Sequence, residues 1–210
     1  YADFVLKFVK NDMDKIKKAK IKIIIDPNGG AGIIAKEILE KAGIEVIGVN
    51  MDYSFFSRKV EPTEDSLFYL GNVVRENNAD FGAGFDCDAD RVEIILPNNK
   101  LVSGHYILAL IANEMFKEGK KQKKKVLVTN DATSGIVKEV AKKHNAKLIE
   151  VEVGEANIIE GMKKHKAIIG GEGSSAGVII APSNCRDGIL TLLMVVKIIA
   201  GKKAKLQEIL

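Results

Sequence analysis

The sequence predicts an α/β protein built as two tandem, structurally similar three-layer domains with mixed, mainly parallel sheets. Three observations predict it. Short runs rich in isoleucine and valine alternate with segments of helical period, the pattern of parallel strands covered by helices on both faces. The same series of elements occurs twice, with the turn-rich stretch Pro97-Asn98-Asn99-Lys100 between the copies. The chain has 210 residues, 46% of them apolar, enough for two modest cores and too apolar for wholesale disorder.

Taken in order, Phe4, Val5, Phe8 and Val9 recur at helical spacing, so 1–19 reads as an opening helix. Residues 21–26 read as a strand, 32–42 as a helix closed by Gly43, and 44–49 as a second strand. The next helix spans 65–77, with Thr63 placed to cap it behind Pro62. Strands follow at 80–85 and 92–96. After the break come a helix at 105–117, a strand at 126–129, a helix at 134–144 and a strand at 147–151. A helix at 156–165, strands at 167–170 and 178–180, and an apolar helix at 188–200 complete the series. The domains are accordingly 1–100 and 101–210.

Composition removes several function classes. The formal charge of +4 is mild, and much of it comes from the lysine-rich stretch 119–125, which no aromatic residues interleave. That stretch reads as a solvated loop and not as a nucleic-acid surface. Cys87 and Cys185 are the only cysteines, too few for a disulfide scaffold or a zinc cage. No apolar run reaches membrane-spanning length and no charged-then-apolar leader opens the chain, so a cytoplasmic protein without a membrane partner is expected. The chain opens on Tyr1 instead of a methionine, so further sequence upstream is expected too.

Chemistry concentrates in two loops, each following the third strand of its half. The first is Asp86-Cys87-Asp88-Ala89-Asp90-Arg91, three alternating carboxylates on a turn between two strands. Converging negative charges demand a positive partner, and a hard divalent cation such as Mg²⁺ suits such oxygen ligands. The second is Gly170-Gly171-Glu172-Gly173-Ser174-Ser175-Ala176-Gly177, where glycines let the backbone approach a ligand and Glu172 and Ser174 offer groups suited to hydroxyls. Ligands in open α/β sheets bind beyond the carboxyl ends of strands, so the two loops are expected to face a common cleft.

Other readings compete. An EF-hand fails because Arg91 stands where glycine belongs and Pro97 where glutamate belongs. A phosphatase using Asp86 as nucleophile and Asp88 as acid is weakened by Asp90, and a plain acidic turn or a flexible glycine hairpin needs no function. Gly30-x-Gly32-x-x-Ala35 after a strand, with Asp52 further on, matches a dinucleotide-binding pattern and supports an NAD(P)- or nucleotide-binding alternative. A close strand-to-helix turn explains the same glycines. His105, His144 and His165 sit at helix ends and are assigned no catalysis; Arg186 and Asp187 read as a cap on the following helix more than as a pair orienting the glycine loop.

The two loops together resemble the α-D-phosphohexomutase family, which includes phosphomannomutases, phosphoglucomutases and phosphoglucosamine mutases. Residues 86–91 are similar to its metal loop, Asp-Gly-Asp-x-Asp-Arg, except at Cys87, and Gly171 to Ser175 resemble its sugar loop, Gly-Glu-x-Ser/Asn-Gly. Asp26-Pro27-Asn28-Gly29-Gly30-Ala31-Gly32 and Arg186-Asp187-Gly188 fit in order and spacing. The resemblance implies the two middle domains of an enzyme that moves a phosphoryl group between O1 and O6 of a phosphorylated hexose, through a phosphoserine and a bisphosphate intermediate. It implies that Asp86, Asp88 and Asp90 hold Mg²⁺, that Arg91 stabilises charge on the transferring group, and that Glu172 and Ser174 bind sugar hydroxyls. The family's Ser-His-Asn-Pro and Arg-x-Ser-Gly-Thr segments have no counterpart here, so flanking domains are implied as partners and turnover is not expected from this chain alone. Cys87 in place of glycine predicts strain if that position needs positive φ. Ser175 and Ala176, and Glu152 and Glu155 around Val153-Gly154, depart from the family pattern and leave the hexose open.

Overall fold

The structure, a computed structural model of the chain, describes residues 1–118, 125–174 and 176–210. Of the lysine-rich stretch 119–125, residues 119–124 lie outside these residues, as does Ser175. The chain divides into two units, Tyr1–Val102 with Gly188–Leu210, and Ser103–Asp187. The sequence reading carries the second domain on to residue 210, whereas this last segment packs with the first unit.

In the first unit, helices α1 (Ala2–Leu6) and α2 (Met13–Ala19) precede strand β1 (Lys22–Asp26), helix α3 (Ala35–Ala42), strand β2 (Glu45–Gly48) and helix α4 (Glu64–Glu76). Strands β3 (Phe81–Phe85), β4 (Val92–Ile95) and β5 (Leu101–Val102) follow. The sheet order is β2-β1-β3-β4-β5. β1 runs parallel to β2 and β3, and the β3/β4 and β4/β5 pairs are antiparallel. Ile24 and Ile95 pack with Leu67, Leu70 and Val74 of α4 on one face. The period of two sends Ile23, Ile25 and Ile94, all fully buried, to the opposite face.

The expected continuous opening helix is broken. A short 3-10 turn at Lys10–Asp12 separates α1 from α2. Val5, Val9 and Ile16 are all fully buried, a spacing that a straight helix and a bent one satisfy alike. Thr63 caps α4 as expected, accepting from the Ser66 N–H while Ser66 Oγ accepts from the Thr63 N–H at 2.8 Å.

The second unit holds helix α5 (Gly104–Glu118), strand β6 (Val126–Asn130), helix α6 (Gly135–Lys143), strand β7 (Lys147–Val151), helix α7 (Glu155–His165), and strands β8 (Ile169–Gly170) and β9 (Ile179–Ile180). Its order, β7-β6-β8-β9, repeats the first four strands of the other sheet, including two parallel pairs and then an antiparallel one. Val126, Val128 and Ile179 pack with Ile158 and Met162 of α7. Two helices, α8 (Gly188–Lys202) and α9 (Leu206–Ile209), end the chain in the first unit. α8 is apolar all round and packs against α1, α2 and β4. Its Lys197 reaches Asp12 at 3.4 Å. No helix among the described residues is long and apolar enough to cross a membrane.

Candidate functional site

The acid loop is a hairpin between β3 and β4, with Phe85 opposite Val92. Asp86 is buried at its root, Asp88 exposed at its tip and Asp90 half-buried on the return. Each offers a carboxylate oxygen, and the three oxygens lie within 4.8 Å of one another. The expected convergence is therefore present. Mg²⁺ takes oxygen ligands at about 2.0–2.1 Å and binds through a few carboxylates with water or phosphate completing its shell. The donor set fits that ion, and it holds no soft ligand that would favour zinc or copper.

Arg91 supplies positive charge at the same place. Its Nε donates to Asp86 Oδ2 at 2.6 Å and to Asp90 Oδ1 at 3.3 Å, and its backbone N–H to Asp86 Oδ1 at 3.2 Å. The two terminal nitrogens donate to both oxygens of Glu61, at 2.6 and 3.0 Å. Glu61 first and then Asp86 push the guanidinium pKa further upward against the opposing effect of burial. Burial pushes the Asp86 carboxyl up to about 6, aided by Asp90, and the Arg91 contacts only partly offset this.

Glycines on two sides let the backbone of the loop settle. The Ala31 N–H donates to the Cys87 carbonyl at 2.8 Å, and a Cβ on Gly30 would lie 2.4 Å from that oxygen. A Cβ on Gly32 would lie 3.0 Å from the Phe85 ring. The Gly30-x-Gly32 pattern thus docks the acid loop, and the dinucleotide alternative is not favoured. At the other side the Gly188 N–H donates to the Ala89 carbonyl at 3.0 Å, so the start of α8 supports the hairpin. The positive φ in this loop falls at Ala89, +59°, and Cys87 is not among the left-handed residues, so the strain expected there does not arise.

A polar cluster that sequence reasoning missed lies at the root of the hairpin. Asp26, fully buried at the end of β1, accepts from Arg58 Nε at 2.5 Å, the Tyr69 hydroxyl at 2.5 Å, the Asn28 N–H at 2.8 Å and Asn50 Nδ2 at 3.2 Å. Its signal was a lone arginine in an irregular segment, which no periodicity marks.

In the second unit, Glu172 follows β8 and is half-buried. Its Oε1 accepts from Asn130 Nδ2 at 3.1 Å and from the Gly154 N–H at 2.9 Å. Its Oε2 lies 3.5 Å from Arg186, whose Nε faces Glu155 at 3.6 Å. Arg186 thus braces the glycine loop, the second of the two roles the sequence suggests for it. Thr129 donates to the Gly171 carbonyl at 2.8 Å, and the Thr133 hydroxyl lies 2.5 Å from the Glu172 carbonyl. His105 accepts from the Ser134 N–H at 3.3 Å, and a Cβ on Gly173 (φ +74°) would strike its ring at 2.3 Å. Ser174 is exposed beside this frame, and Glu152 is exposed while Glu155 is occupied with Arg186.

Against known proteins, residues 1–99 match the profile of "Phosphoglucomutase/phosphomannomutase, alpha/beta/alpha domain II" and residues 103–210 that of domain III. The chain is 32% identical over 208 residues to a phosphoglucomutase/phosphomannomutase of Thermococcus kodakarensis, covering 96% of this chain and 45% of that one. It resembles a solved structure of a Thermus thermophilus protein assigned as a phosphomannomutase, with TM-score 0.87 and 25% identity over 99% of this chain and 49% of the other. An N-acetylphosphoglucosamine mutase of Aspergillus fumigatus, solved with GlcNAc-6P and magnesium, shares the fold at TM-score 0.64 and 18% identity, covering 94% of this chain and 52% of that one. The chain spans about half the length of the relatives it matches.

Proposed function

Because the chain belongs to the phosphoglucomutase/phosphomannomutase family, we propose that it is the Mg²⁺- and sugar-binding portion of an enzyme interconverting hexose 1-phosphate and hexose 6-phosphate. The observation that carries this reading is the convergence of Asp86, Asp88 and Asp90 within 4.8 Å beside Arg91. The magnesium in the Aspergillus relative supports it. In this reading the phosphoserine and the phosphate clamp lie in segments outside the chain, the chain alone does not turn over, and the enzyme works in the cytoplasm.

Phosphoryl transfer needs positioning and charge neutralisation above all. Bound to Asp86, Asp88 and Asp90, Mg²⁺ would neutralise charge on the transferring phosphoryl oxygens. Arg91, already oriented by Asp86, offers its outer nitrogens to the same oxygens once Glu61 is displaced. Glu172, held in place by Asn130 and the Gly154 N–H, accepts hydrogen bonds from sugar hydroxyls, and Ser174 contributes its own hydroxyl.

Isothermal titration of the chain with MgCl₂ tests the metal assignment. Saturable binding that Asp88→Ala removes is expected, and equal binding by that variant would overturn it. Adding the flanking segments in trans should give glucose or mannose phosphomutase activity, and saturable NADH binding in place of that activity would favour the nucleotide reading.

A further inference from the structure

We propose that Arg58 is a positioning residue that sets the backbone from which Asp86 projects, an assignment that rests on the magnesium reading above. Arg58 lies in the irregular segment between β2 and α4, yet its side chain is only 6% exposed. One nitrogen, Nε, meets Asp26 Oδ2 at 2.5 Å; another, a terminal one, donates to the Phe85 carbonyl at 2.6 Å and to the Asp26 carbonyl at 3.3 Å. The planar guanidinium therefore ties together the carboxyl ends of β1 and β3, which are neighbouring parallel strands.

Phe85 is the residue before Asp86. Its carbonyl oxygen and the Asp86 nitrogen and Cα belong to one rigid peptide plane, so holding that oxygen fixes where the Asp86 side chain starts. The tether is itself fixed, because Asp26 also accepts from Tyr69, Asn28 and Asn50. Asn28 closes the ring, its Oδ1 accepting from the Ser57 and Arg58 N–H groups at 2.9 and 3.1 Å. Burying an ion pair adds little net stability, since desolvation offsets most of the attraction. Its value at this place is the fixed fork, with donors aimed at a carboxylate and a main-chain oxygen together. A lysine can satisfy the charge on Asp26 without reproducing that fork.

Two readouts on the 210-residue chain separate positioning from simple stability: Mg²⁺ affinity by calorimetry, and the amide resonances of Asp86 and Asp88 without metal. Arg58→Lys should weaken Mg²⁺ binding by about tenfold or more, the range seen for partners behind metal ligands, and should shift both resonances. Tyr69→Phe removes a contact to the same Asp26 but none to Phe85, so it should lower the unfolding temperature while leaving affinity and resonances unchanged. Wild-type Mg²⁺ affinity in Arg58→Lys would overturn the proposal, as would an equal loss in Tyr69→Phe. If the unaltered chain takes up no Mg²⁺, the magnesium reading fails by itself; positioning is then decided by the resonances, and unshifted signals in Arg58→Lys refute it. Should Arg58→Lys not fold, the pair Arg58→Gln with Asp26→Asn leaves no buried charge and is read in the same two ways.

Discussion

Arg91 holds Glu61 with both terminal nitrogens, at 2.6 and 3.0 Å, across thirty positions of sequence. The contact faces water: the Glu61 side chain is 58% exposed. Such pairs contribute about 0–1 kcal/mol. Glu61→Gln should therefore change unfolding free energy by no more than about 1 kcal/mol in denaturant titration, while freeing the arginine fork. A loss well beyond that would make Glu61 part of the foundation of the hairpin.

Asp88 stands at the exposed tip of the loop, so truncating it should leave the fold intact. In the unaltered chain, Mg²⁺ at a hundredfold excess over its Kd should add about 2.7 kcal/mol of stability. Asp88→Ala should abolish that increment. Thermal unfolding with and without MgCl₂ reads both effects.

Acidity should govern the same loop. The folded chain holds the Asp86 proton up to about 6, against 3.8 for an ordinary aspartate. Between those values the folded state binds more protons than the unfolded one, so stability without metal falls as pH rises through the window. Asp86→Asn should remove this component of the pH profile. Mg²⁺ requires the ionised carboxylate, so its affinity should fall as pH drops through 6, with proton release on binding. Calorimetry in two buffers of different ionisation enthalpy measures that release.

Gly30→Ala would place a methyl 2.4 Å from the Cys87 carbonyl, a backbone atom that cannot rotate away. The expected cost is about 1–3 kcal/mol, as for other overpacked sites, with weaker Mg²⁺ binding. NADH should give no saturable fluorescence change with either protein. Unaltered stability in the variant would remove the docking role assigned to this glycine.

The brace beneath the glycine loop can be probed at Thr133, which is 6% exposed and whose hydroxyl lies near Thr129, Asn130 and Glu172. Thr133→Val keeps the shape and strands buried polar neighbours, at about 1–3 kcal/mol. Denaturant titration should show that loss, and Glu172 and Ser174 resonances should broaden.

Legibility in the sequence followed locality. The repeated strands and the helices α4 to α8 were readable because apolar side chains recur at the periods their backbones impose. The two-residue strand β5 and the four-residue α9 were not; β8 and β9 are as short, but they lie inside longer apolar runs that mark them. The acid triplet was visible as a spacing, and Asp86, Asp88 and Asp90 do converge. What escaped were contacts joined only in space. Arg58 meets Asp26 from thirty-two positions away, and Arg186 reaches back to Glu155 and Glu172. Gly30 and Gly32 displayed a familiar motif, but their neighbours, Cys87 and Phe85, decide its use.

Because α8 seals the unit begun by residues 1–102, the first domain is discontinuous while the second is a single stretch of chain. During synthesis, the hairpin bearing Asp86 emerges long before Gly188, whose amide supports Ala89. Ribosome-bound chains stopped short of that helix would lack a wall of their core, so emergence of α8, not of the acid loop, sets when the site can mature. The segment Ser103–Asp187 has no such wait, being one unbroken stretch of chain.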